Sequence, residues 1–263
     1  MKRKDLVEEV VLITGASGVL GRTYVRLLLE AGARVVATDY SYSIMQQRLG
    51  DFADNTRYSQ LEMDVSSEES VAAAFCALIE ANLRPTIVLN NAAMTGEFLM
   101  SSSRGFPSFS ETTLEEWTST LSVNLTGAFL VARELDRTII KASPVRLINV
   151  GSMYGLRGPH HGIYEDEEFK SFVAYSASKA GIHGLTLWLA GYWAPYGCSV
   201  NTLAPGPVYN GHSKVFEDKV GALTMTGRMA KPDEIGLMML SLCGAPHYFT
   251  GQLVNVDGGF SAW

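Results

Sequence analysis

Short apolar, β-branched runs alternate with longer stretches of helical periodicity from one end of the chain to the other. The runs at 10–14, 34–39, 61–64, 86–90, 145–150, 198–203 and 252–256 predict strands. Several are apolar at consecutive positions, as strands are when both faces of a sheet are covered. The alternation predicts an α/β fold, a Rossmann-like doubly wound parallel sheet with helices on both faces. Ser66 with Glu69 has the form of a capping box ahead of a helix over 71–81, and Pro232 with Asp233 and Glu234 suits a first helical turn. The segment 114–139 also reads as helical. There is no internal repeat and no low-complexity linker. Two long connections, 95–112 and 157–171, are rich in Ser, Gly, Pro or acidic residues, and both follow predicted strands at their C-terminal ends. Ligands of open α/β sheets bind at that edge, so both loops are expected to shape a substrate pocket.

A chain of 263 residues suits one such domain, expected to span 1–263. The net charge of −6 argues against nucleic acid or an anionic membrane surface as the main partner. Cys76, Cys198 and Cys243 are odd in number, widely spaced and flanked by apolar residues, so buried thiols in a reducing cytoplasm are expected rather than disulfides. The basic start at Met1 to Lys4 is followed by Asp5, Glu8 and Glu9, which interrupt any signal-like apolar stretch. No apolar run approaches the roughly 18 residues of a membrane-spanning helix, so a soluble protein is expected.

The first predicted strand runs into Thr14-Gly15-Ala16-Ser17-Gly18-Val19-Leu20-Gly21. Glycines here let the backbone approach a pyrophosphate, whose charge the N–H groups and dipole of the following helix stabilise, so Gly15, Ser17, Gly18, Val19, Leu20 and Gly21 are candidate dinucleotide contacts. Asp39 ends the second strand, where a carboxylate accepts hydrogen bonds from both ribose hydroxyls of an adenosine and repels a 2′-phosphate. Tyr40 and Ser41 supply no offsetting cation, so NAD is favoured over NADP. Asp64 and Val65 stand where they could flank an adenine, Asp64 alternatively starting a turn. Asn90, Asn91, Ala92 and Ala93 follow the fourth strand, small enough for close cofactor approach and with amides able to tie strands together. Tyr175 and Lys179 lie four apart on a predicted helix, on one face, and only Tyr175 among the tyrosines has a lysine at that spacing. A neighbouring ammonium is expected to favour the phenolate and make the pair a general acid/base. His160 and His161, adjacent in a Gly/Pro-rich loop, lack the spacing of a zinc site, and no metal is expected.

Taken in order, the Thr14 to Gly21 turn, Asp64, Asn90 to Ala93, Asn124, Ser152, Tyr175 with Lys179, Pro205-Gly206 and Asn255 to Gly259 resemble the compact single-domain branch of the short-chain dehydrogenase/reductase family over essentially the whole chain. The resemblance implies that Tyr175 exchanges a proton with the substrate oxygen as hydride moves to or from nicotinamide. It implies that Lys179 holds the nicotinamide ribose and lowers the pKa of Tyr175, that Ser152 hydrogen-bonds the reacting oxygen, and that Asn124 anchors a water on a proton path from Lys179. Pro205, Gly206 and Val208 resemble the segment that passes the nicotinamide carboxamide. The chain departs from the pattern in three places. The middle glycine is Gly18 where the compact branch has one at Val19, Asn210 replaces a threonine, and the stretch between Ser152 and Tyr175 is longer than usual. That stretch carries Arg157, which either pairs with an anionic substrate group or bridges to the acidic run at 165–168, and it is where substrate choice is expected. A polar rim suits a sugar, nucleotide-linked sugar or polyol, and the loop resembles those of members from bacterial surface-polysaccharide and sugar-modification pathways. The alternatives are an NADP-dependent carbonyl or 3-oxoacyl reductase and a non-catalytic dinucleotide-binding scaffold. Relatives commonly form tetramers through the helices carrying Asn124 and Tyr175, so a homo-oligomer, tetramer or dimer, is expected, with Phe129, Leu185, Trp188 and Trp263 as contacts or core.

Overall fold

The computed structural model describes residues 6–96, 99, 105–165 and 167–262. Part of the 95–112 connection, Asp166 and Trp263 lie outside them. Seven strands form one sheet in the order β3-β2-β1-β4-β5-β6-β7, every neighbouring pair parallel. They are β1 (Val10–Thr14), β2 (Arg34–Asp39), β3 (Tyr58–Glu62), β4 (Ile87–Asn90), β5 (Arg146–Val150), β6 (Ser199–Pro205) and β7 (Leu253–Val256). The main helices are α1 (Val19–Glu30), α2 (Tyr42–Leu49), α3 (Glu68–Glu80), α4 (Leu114–Leu121), α5 (Gly127–Thr138), α6 (Val173–Tyr192), α7 (Lys214–Gly221) and α8 (Pro232–Cys243).

Successive strand residues feed opposite faces, so consecutive apolar positions build two cores. Val11, Ile13, Val35 and Ile87 pack with Tyr24 and Leu28 of α1 and Ile235 and Met239 of α8. Leu12, Val36, Val88 and Leu147 pack on the other face with Phe75 of α3, Val131 of α5 and Leu189 of α6. This is the doubly wound sheet expected from the alternation. β1 pairs with both β2 and β4, so the strand order reverses between β1 and β4, and a crevice opens beyond their C-terminal ends.

Local details depart from the sequence reading. The cap of α3 is Ser67, whose hydroxyl accepts from Ser70 N–H, whereas Ser66 bonds the Asp64 carboxylate in the preceding turn. β3 begins at Tyr58 rather than Leu61, because its partly buried first half carries the polar Ser59 and Gln60, which break the apolar run there. Segment 114–139 is helical but interrupted by a π turn over Ser122–Thr126. Cys198 and Cys243 are buried and free as expected, while Cys76 is free but exposed on the outer side of α3. No helix among the described residues is long and apolar enough to cross a membrane.

Candidate active site

The crevice is tied together by Thr14, the last residue of β1. Its buried hydroxyl accepts the backbone N–H groups of Asn91 and Ala92, both at 3.0 Å, and the Asn91 amide donates to the carbonyls of Thr14 (3.0 Å) and Gly15 (2.9 Å). The turn after β1 is thereby held against the residues that follow β4. Gly15 has φ of +62°, and a Cβ there would lie 2.6 Å from Ala92 Cα, so no side chain fits. A Cβ on Gly21 would lie 2.4 Å from Gly15 O, which keeps the first turn of α1 close under the loop. Gly18 is the N-cap of α1 and offers no side-chain cap, so the first-turn N–H groups of Val19, Leu20 and Gly21 are left for an anion. The Ser17 hydroxyl is buried with no hydrogen-bond partner. An orphaned donor in a glycine cradle at a helix N-terminus, without an acidic residue in the first turn, fits a pyrophosphate.

Asp39 closes the same corner from β2. One carboxylate oxygen accepts from Ser17 N–H at 3.0 Å and the other from Tyr40 N–H at 2.9 Å. The structure also brings in a cation that adjacency in sequence did not reveal: Arg48, in the last turn of α2, donates to Ser17 O at 3.4 Å. Asp64 starts a turn, its carboxylate accepting from Ser66 N–H (2.9 Å) and Ser66 Oγ (2.7 Å), and Val65 is buried against Gly127 of α5. Asn90 reaches inward, donating to Asn149 Oδ1 at 2.8 Å, and thus ties β4 to β5. Ala93 continues the segment from Ala92 toward Met94.

On the other side of the crevice, β5 ends at Val150 and delivers Ser152, which is buried, while α6 delivers Tyr175 and Lys179 one turn apart. Lys179 is buried, its ammonium donating to Val150 O at 2.8 Å and lying 5.6 Å from the centre of the Tyr175 ring. Burial lowers its pKa to about 8. The Tyr175 phenol is pushed up, chiefly by burial, partly offset by a hydrogen bond from the Ser152 hydroxyl that pulls it down, with nearby Tyr154 pushing it further up. This differs from the expectation that Lys179 would make the phenol more acidic. Desolvation is the largest cause, and the Lys179 ammonium is turned toward a backbone carbonyl.

Asn124 sits in the π turn and is almost fully buried. Its side chain accepts from Met94 N–H at 2.7 Å and donates to Met94 O at 2.9 Å and to Ser178 Oγ at 3.0 Å. Ser178 in turn donates to Tyr175 O at 2.7 Å. A π turn inserts one residue into the helical count and re-aims the side chain it carries. Here it links the loop after β4 to the helix bearing Tyr175. Sequence reading missed Ser178, although a serine three residues after Tyr175 on a helix has a known local partner in that residue's carbonyl.

Pro205 closes β6, and Gly206 N–H donates to Val256 O at 2.9 Å. Val208 bridges to Ala230, which holds the following segment beside the crevice. Asn210 is exposed in a bend, its N–H donating to His212 at 3.2 Å. Among the described residues, Arg157 makes no ion pair with the acidic run. Its guanidinium donates twice to Ser261 O, at 3.3 and 2.9 Å, and so fastens the insertion to the C-terminal segment. His160 and His161 are both exposed, and no group of three metal-ligating side chains occurs among the described residues.

A parallel sheet with a switch-point crevice, a glycine turn on one side and a Ser-Tyr-Lys cluster on the other defines a dinucleotide-dependent oxidoreductase. A family model described as enoyl-(acyl carrier protein) reductase matches residues 15–261. The 3-oxoacyl-(acyl-carrier-protein) reductase FabG of Vibrio cholerae is 30% identical over 260 residues, covering 97% of this chain and 98% of the relative. Galactitol 2-dehydrogenase of Rhizobium johnstonii is 30% identical over 265 residues, covering 97% and 96%. The solved structure of a short-chain dehydrogenase from Leptospira borgpetersenii with bound NAD+ superposes with a TM-score of 0.86 at 31% identity, covering 99% of this chain and 97% of that one. The chain belongs to the short-chain dehydrogenase/reductase family, whose members are NAD(P)-binding oxidoreductases acting on CH–OH groups.

Proposed function

We propose that the chain interconverts a secondary alcohol and a ketone on a polar, hydroxylated substrate, a sugar, nucleotide-linked sugar or polyol, with NAD(H). The observation that carries this reading is the joining of Ser152, Tyr175 and Lys179 at the edge of the crevice whose far side is the glycine turn and Asp39. When bound, the dinucleotide supplies or accepts the hydride. In the reduction direction the Tyr175 phenol, kept protonated by burial, gives its proton to the carbonyl oxygen, which the Ser152 hydroxyl holds in place. In oxidation the phenolate takes the proton back. Lys179, with a pKa near 8, holds and passes a proton close to neutral pH, and Asn124 with Ser178 fixes the helix turn through which Tyr175 and Lys179 keep their relative placement.

Gly15, Ser17, Gly18, Val19, Leu20 and Gly21 hold the pyrophosphate in this reading and Asp39 the adenosine ribose. Asp64 and Val65 lie on the adenine side, Asn91, Ala92 and Ala93 line the middle of the crevice, and Pro205, Gly206 and Val208 lie along the nicotinamide. The Asp39 carboxylate beside Ser17 supports NAD over NADP. Arg48 supports the second reading, an NADP-dependent carbonyl or 3-oxoacyl reductase, because its guanidinium reaches the same turn. Titration with NADH and NADPH and a substrate panel separate the two: the first reading expects tighter NADH binding and turnover of polyols or sugars. Tighter NADPH binding, or steady turnover of acyl thioesters with none of the polyols, overturns it. The reading extends to a cytoplasmic homotetramer, supported by the exposed Phe129 on α5 and Trp188 on α6, the latter stacked on Tyr192.

A further inference from the structure

The long insertion between Ser152 and Tyr175 builds a small core of its own. A 3-10 turn over His161–Tyr164 buries Ile163 and Tyr164 against Phe216 and Val220 of α7. The Tyr164 ring meets Phe169 at 5.8 Å and Phe216 at 5.6 Å between centroids, and these two rings meet edge-on at 5.1 Å. The Lys170 ammonium donates to the carbonyls of Tyr164 and Glu167, and Ser213 Oγ donates to Glu167 Oε1 at 3.1 Å, so the insertion is locked to the head of α7. Packing of this kind needs only rings. Yet it places one polar contact inside an apolar wall: the hydroxyls of Tyr154 and Tyr164 lie 2.7 Å apart.

Tyr154 is the inner half of that pair. Its backbone N–H donates to Ser152 Oγ at 3.1 Å, the neighbouring Gly155 packs so tightly on Lys179 that a Cβ there would lie 2.6 Å from Lys179 C, the Tyr154 phenol stands near enough to Tyr175 to push that phenol up, and the Tyr154 ring is held edge-on by Phe260 at 6.2 Å. Arg157, through Ser261 O, anchors the segment that carries Phe260. Two phenols supply two O–H donors. Their mutual bond uses one, so the pair retains one donor and spare lone pairs, the complement of an alcohol. Burial pushes both phenols up, so both keep their protons across the neutral range.

We propose that the hydroxyl pair of Tyr154 and Tyr164 is the specificity-determining element of this enzyme, receiving a second hydroxyl of the substrate close to the carbon that is oxidised or reduced. This rests on the polar-substrate reading above and names the group that does the selecting. A methylene at the same place leaves a buried donor unpaired, and a site built around a hydroxyl discriminates strongly against substrates that lack it.

The test compares wild-type protein, Tyr164→Phe and Tyr154→Phe on a vicinal diol and on the mono-alcohol of the same carbon skeleton. Each phenylalanine keeps the aromatic packing, and either variant alone breaks the pair. The diol to mono-alcohol ratio of kcat/KM is expected to fall about ten-fold or more in each variant. NADH affinity and melting temperature check that the fold is retained. If wild-type prefers the diol and the folded variants keep that preference, the assignment of the pair is overturned while the polar-substrate reading stands. If wild-type does not prefer the diol, both are overturned.

Discussion

Burial disfavours the charged state of both Tyr175 and Lys179 and so moves their pKa values in opposite directions, the phenol up and the ammonium down, each toward its neutral form. For Tyr175 the sign follows directly. In the proposed mechanism carbonyl reduction uses the protonated phenol, so its kcat/KM is expected to be flat through neutral pH and to fall only in the alkaline range. Alcohol oxidation uses the phenolate, so its rate climbs with pH. Among the described residues, the Ser152 hydroxyl is the one group pulling this pKa down. In Ser152→Ala the alkaline rise of alcohol oxidation should therefore move to higher pH, beyond the loss in kcat, and a limb that stays put or moves lower contradicts the assigned hydrogen bond. The Tyr175–Lys179 pair was legible because helical spacing is local. Arg48 and Arg157 were not. The first reaches Ser17 only because α2 folds back over the glycine turn, and the second finds Ser261 from 104 positions away.

At the scale of elements, the glycine turn is held by one hydroxyl. Thr14→Val keeps the shape and removes the acceptor of the Asn91 and Ala92 N–H groups. Leaving partly buried donors without partners is expected to destabilise the fold by about 1–3 kcal/mol in urea unfolding. NADH affinity should drop as well, because the cradle loses its tie to the segment after β4. Unchanged stability and affinity would show that the tie contributes nothing. The central strands could be read from sequence since both of their faces are buried, and their observed bounds differ from the reading by at most two residues at either end. The edge strand β3 was displaced because Ser59 and Gln60 interrupt its apolar run, and the short helices α2 and α7 carry too few turns to declare a period. The π turn at Asn124 is invisible to periodicity, since it breaks the count that periodicity relies on.

For the whole molecule, large apolar side chains remain exposed on α5 and α6. Phe129 is 44% exposed, Leu187 50% and Trp188 61%, and the Arg133 guanidinium lies 5.4 Å from the Phe129 ring centre. Multi-angle light scattering is expected to give a mass four times the 28.6 kDa of one chain, and Trp188→Asp to lower it; a monomer at micromolar concentration contradicts the tetramer. The account rests on a single proton donor at the head of α6. The most direct measurement is kcat of Tyr175→Phe beside wild-type, with NADH binding followed in the same samples. Loss of the hydroxyl should reduce kcat by about a hundred-fold or more while the dinucleotide still binds, and a variant that turns over at the wild-type rate would contradict the mechanism.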